Sequence, residues 1–108
     1  HGDFQGTNIL VKDNKLSGIL DWEFAMAGHP IADIGQFFRY EKYFDNNLIQ
    51  VFEQEYNKNS DYKLTKDWYK ISKLRDLTNL IQLINADGEM PNKYTNIKAL
   101  VVNILKEF

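Results

Sequence analysis

At 108 residues, with 44% hydrophobic side chains and no cysteine, the chain holds at most one small domain, whose core has no disulfide to staple it. Its 13 Lys and Arg against 15 Asp and Glu give a formal charge of -2, and the basic residues are scattered rather than gathered into the stripe that nucleic acid requires. The apolar content argues against disorder, no run approaches the length of a membrane helix, and the lack of cysteine is compatible with the cytoplasm, the expected location.

Asn8 to Val11 and Leu16 to Leu20 read as two short strands joined by Lys12-Asp13-Asn14-Lys15, a segment suited to a hairpin turn. Gly28, His29 and Pro30 mark a loop, after which helical periodicity takes over. A first helix is expected from Ile31 or Asp33 to Lys42, with Ile34, Phe37 and Phe38 on one side. A second runs from about Asp45 to Lys58, carrying Leu48, Ile49, Phe52 and Tyr56. A long third helix starts near Thr65, whose side chain can cap it ahead of Asp67. Its Trp68, Ile71, Leu74, Thr78 and Ile81 recur at three or four residues, the spacing of a buried stripe. Asp87-Gly88 and Pro91 are expected to end it. A fourth helix, about Thr95 to Lys106, carries Ile97, Leu100, Val101, Ile104 and Leu105.

The fold class is therefore α+β and predominantly helical, a short hairpin followed by about four helices. Two strands are marginal unless a helix covers them, so this arrangement makes better sense as the base of a larger two-lobed enzyme.

Three polar residues stand where loops meet the hairpin: Asp3 before the first strand, Asn8 at its start and Asp21 after the second. Pairing of the strands through a short turn puts Asn8 and Asp21 at the same open end of the ribbon. A carboxylate and an amide there can share Mg²⁺, which takes hard oxygen ligands and is often held by one or two protein groups plus phosphate oxygens. A second carboxylate is then free to orient a hydroxyl and accept its proton, the division of labour in kinase-type phosphoryl transfer.

The sequence resembles the aminoglycoside phosphotransferase and choline kinase family, whose catalytic loop reads His-x-Asp-x-x-x-x-Asn. His1, Asp3 and Asn8 match that loop, and Gly6 and Thr7 stand where the family places small residues. Leu20, Asp21, Trp22 and Glu23 match the metal-binding segment, and Gly28, Pro30 and Asp33 match the Gly-x-Pro-x-x-Asp element after it. The resemblance implies the C-terminal lobe of a protein-kinase-like fold, with a catalytic and metal-binding segment over residues 1–35 and a helical base over 31–108. It implies Asp3 as catalytic base, and Asn8 and Asp21 as ligands of Mg²⁺ and, through it, of ATP. His1 would support the loop, and Asp33 would tie it to the helices. The implied activity is ATP- and Mg²⁺-dependent transfer of the γ-phosphoryl group to a hydroxyl of a small molecule. An aminoglycoside is favoured, with choline, ethanolamine or a sugar as alternatives.

The glycine-rich strand-loop-strand, lysine strand and adenine hinge of such enzymes are not found in this sequence. An N-terminal ATP-binding lobe is accordingly expected before His1, as a partner without which the segment alone is inactive. Aminoglycosides and choline are cationic, which invites an acidic cleft, yet Glu41, Asp45, Glu53, Glu55 and Asp61 alternate with lysines and read better as a mixed solvated face. Tyr40, Tyr43, Phe44 and Trp68 could cage a quaternary amine, but their spacing fits helix packing equally well. Trp22 and Phe24 read as packing residues, His29 as a surface residue and Glu23 as a solvated carboxylate. A non-catalytic helical module that packs on a partner is the competing reading; the few histidines and scattered carboxylates disfavour a two-metal hydrolase or a zinc site.

Overall fold

The computed structural model describes residues 1–85 and 91–108. A hairpin of β1 (Ile9–Lys12) and β2 (Lys15–Ile19) comes first, followed by α1 (Ile31–Phe37), α2 (Asn46–Asn59), α3 (Trp68–Asn85) and α4 (Pro91–Lys106). This is the helix-rich α+β arrangement expected from the sequence. No described helix is long and apolar enough to cross a membrane.

The strands are antiparallel, with Ile9 opposite Ile19 and Lys12 opposite Lys15. The two-residue turn works because Asp13 and Asn14 both adopt positive φ (51° and 58°), as the hairpin's twist demands and as Asp and Asn tolerate. The register slips between Leu10, opposite Gly18, and Val11, opposite Leu16, so Ser17 is the extra residue of a bulge.

Among the described residues the helical base has two cores. One gathers Ile31, Ile34, Phe38, Leu64 and Trp68, with Phe37, Phe44 and Phe52 packed around them. Phe38 is its centre, with ring centroids 4.8 Å from Phe44, 4.9 Å from Phe52 and 5.7 Å from Trp68. The other core joins α3 to α4 through Leu80, Ile97 and Ile104.

Four expectations are corrected. The first helix stops at Phe37, not Lys42, because Phe38 leaves helical geometry (φ -88°, ψ 11°) and Glu41–Tyr43 forms a separate 3₁₀ turn. That exit delivers Phe44 to the aromatic core and Arg39 to α3. The third helix begins at Trp68, whose amide bonds the Thr65 carbonyl, and its predicted stripe is largely solvent-facing: Ile71, Leu74 and Ile81 are all exposed. The buried line is Trp68, Ser72, Asp76 and Leu80, every fourth residue. The fourth helix includes Pro91 and so starts before Thr95; Asp87-Gly88, expected to end the third, lies outside the described residues. At the head of α2, Asp45 is a cap rather than merely solvated, its Oδ1 accepting the Leu48 amide at 2.8 Å.

A buried polar line on α3 is possible because α1 comes unusually close. A methyl group on Gly35 would overlap the carbonyl oxygen of Ser72 and come within 3.1 Å of the Asp76 Cβ. Gly35→Ala would gain about 1 kcal/mol of helix propensity but lose more, about 1–3 kcal/mol, because the obstacle is backbone and cannot swing aside. The expected result is a lower thermal unfolding midpoint by circular dichroism; an unchanged or raised midpoint would refute this close approach.

Candidate active site

The loop before β1 is fastened from two directions, α1 and the hairpin. From α1, the carboxylate of Asp33 accepts the backbone nitrogens of His1 (2.8 Å) and Gly2 (2.9 Å). One turn further along, the buried carboxamide of Gln36 accepts the Phe4 amide at 2.7 Å and donates to the Gly2 carbonyl at 2.8 Å. From the hairpin, the His1 ring bridges Asp3 and Leu20: Nδ1 accepts the Asp3 amide at 3.2 Å, and Nε2 lies 2.8 Å from the Leu20 carbonyl. Those two partners assign the neutral tautomer with its proton on Nε2, since one nitrogen must accept and the other donate. Gly2 permits the approach, with φ of 84° and no room for a Cβ beside the Phe24 carbonyl.

Within this frame Asp3 and Asn8 meet. The Asn8 Nδ2 donates to the Asp3 carbonyl at 2.9 Å and to its Oδ2 at 3.1 Å, while Gln5 Nε2 donates to Asp3 Oδ1 at 2.9 Å. Both amide hydrogens of Asn8 are therefore directed at Asp3, which leaves its amide oxygen as a free-facing hard donor. The Leu20 amide bonds the Asn8 carbonyl at 2.8 Å, extending the ribbon by one rung, so Asp21 follows directly on the residue paired with Asn8. Asp21 then takes a left-handed conformation (φ 67°, ψ 58°) and starts a 3₁₀ turn without capping it. Such a conformation costs on the order of 1–3 kcal/mol for a residue with a side chain, least for Asp and Asn, and it leaves this carboxylate exposed at the ribbon's end.

Asn8 and Asp21 fit a magnesium-phosphate group by donor chemistry: one amide oxygen and one exposed carboxylate, at the same end of the hairpin. No group of three or more His, Asp or Glu side chains among the described residues could cage a metal unaided. An ion that draws its remaining ligands from phosphates needs no such cage.

Other candidates fall elsewhere. Asp33 lies in the first turn of α1, and both its oxygens serve the loop. Trp22 and Phe24 are about half exposed, at 55% and 57%; Trp22 donates to the Ile19 carbonyl and lies 4.6 Å from the His1 ring. Exposed His29 accepts the Ile31 amide through Nδ1. No joint aromatic cage forms from the four residues considered: Phe44 and Trp68 pack on Phe38, whereas Tyr40 and Tyr43 pair with each other at 6.5 Å. Glu23 is exposed.

Sequence reasoning missed Gln36 and the Arg39–Asp76 pair. Gln36 was open to discovery, since it lies three residues beyond Asp33 and so shares its helix face. The pair carried no local signal. Asp76 is 1% exposed, and its two oxygens accept Arg39 Nε (2.8 Å) and Nη2 (2.7 Å). Burial works against the Arg39 charge, but the twin hydrogen bonds and negative charge of Asp76 overcome it, so its pKa stands above the ordinary arginine value.

The sequence matches the phosphotransferase enzyme family over residues 1–68. It is also similar to the human protein named acyl-CoA dehydrogenase family member 11, with 35% identity over 63 residues, 56% of this chain and 8% of that protein. The Pongo abelii protein of the same name is 41% identical over 39 residues, 34% of this chain and 5% of that protein. The chain thus spans less than a tenth of the length of either relative. No solved structure matches it.

Proposed function

The chain belongs to the phosphotransferase enzyme family, and from that premise we propose that it is the catalytic helical lobe of a small-molecule kinase. It would transfer the γ-phosphoryl group of ATP to an acceptor hydroxyl in the cytoplasm. The observation that supports this reading is the bonding of Asn8 to Asp3, together with the rung from the Leu20 amide, next to Asp21, to the Asn8 carbonyl.

In the proposed mechanism, Asp3 orients the acceptor hydroxyl and takes its proton as the new oxygen–phosphorus bond forms and the bond to the ADP oxygen breaks. Gln5 and Asn8, both bonded to its carboxylate, hold it in one orientation. Asn8 and Asp21 would hold Mg²⁺, which would supply charge neutralisation at the phosphates. Asp33, Gln36 and His1 keep the loop registered on α1 and β2, so that Asp3 meets the hydroxyl without reorganising. ATP would be gripped from its other side by an N-terminal lobe of a longer protein, and the segment by itself would turn over little.

The test is Mg²⁺-dependent ATP consumption by the full-length protein against kanamycin-like aminoglycosides, choline, ethanolamine and simple sugars. A hydroxyacyl-CoA joins that panel because the matched relatives are named for acyl-CoA chemistry. Acceptor-dependent turnover is expected from one class. A folded protein that consumes no ATP with any of them would sink the reading. Asp21→Ala should weaken Mg²⁺-nucleotide binding at least about tenfold, the scale of losing one charged ligand contact, as read by calorimetry.

A further inference from the structure

Next to the loop that carries Asp3 lies a cavity of about 920 Å³, walled by Gln5–Thr7, the segment around Arg39, α3 and α4. Its charges do not suit a cation. Among its lining residues Arg39, Lys42 and Lys73 are basic, against two acids, Glu41 and Asp76. Lys73 is spent on Glu41 and on Glu107, whose oxygens lie 2.9 and 3.0 Å away.

Arg39 differs from the lysines. Asp76 takes its Nε and Nη2 side by side and fixes the plane of the guanidinium, using two of the five N–H donors that an arginine carries. The group is held in the cavity wall, which also includes Gln5, whose amide is bonded to the Asp3 carboxylate. A pre-oriented fork with donors to spare suits a planar or tetrahedral oxyanion. Asp76 already balances its charge, so the attraction comes from directed N–H bonds, which favours a bidentate oxyanion over a simple ion.

We infer that Arg39 is an acceptor-positioning residue, binding a carboxylate or phosphate group of the same molecule whose hydroxyl faces Asp3. The inference rests on the phosphotransferase reading and narrows its acceptor to alcohols that bear an oxyanion, against the cationic acceptors that the family resemblance invites.

The experiment compares gluconate, glucose 6-phosphate, glucose and choline as acceptors for the full-length protein. At least one of the two anionic acceptors should exceed glucose in kcat/KM, and which one does so separates carboxylate from phosphate recognition. Arg39→Gln should reduce that preference roughly 30-fold, mainly through KM, with partial recovery in Arg39→Lys. Because Arg39→Gln strands Asp76, the double variant Arg39→Gln with Asp76→Asn is measured alongside it, its fold checked by thermal melting. Preference for glucose or choline over both anions overturns the inference. So does an equal loss of kcat on every acceptor with the preference unchanged, which marks a merely structural pair. Should no acceptor be turned over, the phosphotransferase reading fails separately, and calorimetry with gluconate and glucose 6-phosphate decides the site. Binding that is lost in the double variant supports it, and absence of binding to the wild type ends it.

Discussion

Asp3→Asn is expected to lower turnover of the full-length enzyme by about 10²- to 10⁴-fold, the range contributed by a positioned general base. The substitution is nearly isosteric. The Asn8 side chain keeps its bond to the backbone carbonyl of residue 3, so the proposed ligand pair Asn8 and Asp21 should stay in place. The local loss is one of the two side-chain acceptors, because an amide offers its NH₂ where Gln5 or Asn8 now donates. Nucleotide affinity measured by calorimetry should therefore change by only a few-fold while kcat collapses. Full turnover in this variant would remove Asp3 from the chemistry.

Asp76→Ala is expected to be the most destabilising single change in the helical base. It leaves the Arg39 guanidinium, itself largely buried, without the carboxylate that accepts its Nε and Nη2 bonds. Breaking a buried pair by removing one partner costs about 3–5 kcal/mol, a large part of the roughly 5–15 kcal/mol that holds a typical domain together. Removing Asp76 also frees the amide of Asn79, which donates to it at 3.3 Å. In a domain near this size, such a loss corresponds to a fall in the unfolding midpoint of more than about 10 °C. Scanning calorimetry of the full-length protein reads it. A second variant, Arg39→Met with Asp76→Leu, should recover much of the loss, since an apolar pair asks for no desolvated charge. A midpoint within a degree or two of wild type in Asp76→Ala would show that the pair contributes little.

The two variants probe parts of the molecule that differ in how openly the sequence carried them. Asp3 and Asn8 are five residues apart in one loop, and their contact needs only that loop's local path. Asn8 and Asp21 are joined by a hairpin whose Asp13-Asn14 turn is written in residues that accept positive φ. The link from Asp33 to the loop came from the family resemblance, and the hydrogen bonds to His1 and Gly2 give it a physical form. In each case the determining interactions span few residues, or a single turn, and residue type states them.

The helical base was legible as helices but not in how they face one another. On α3 an apolar set at Ile71, Leu74 and Ile81 competes with the line of Trp68, Ser72, Asp76 and Leu80, offset by one residue or about 100° of helix. Hydrophobic period alone favoured the first set. Tertiary packing chose the second, because side-chain-free Gly35 lets α1 press against the backbone at Ser72, and Arg39 brings to Asp76 the counter-charge that makes its burial tolerable. The sequence by itself determined the hairpin, the contact of Asn8 with Asp3, and the helical character of the chain beyond Pro30, since those depend on local bonding and periodicity. Only the tertiary structure decided which face of α3 is buried, where α1 ends, and that Arg39 stands in the cavity wall, because each depends on partners distant in the chain, whose approach no local pattern encodes.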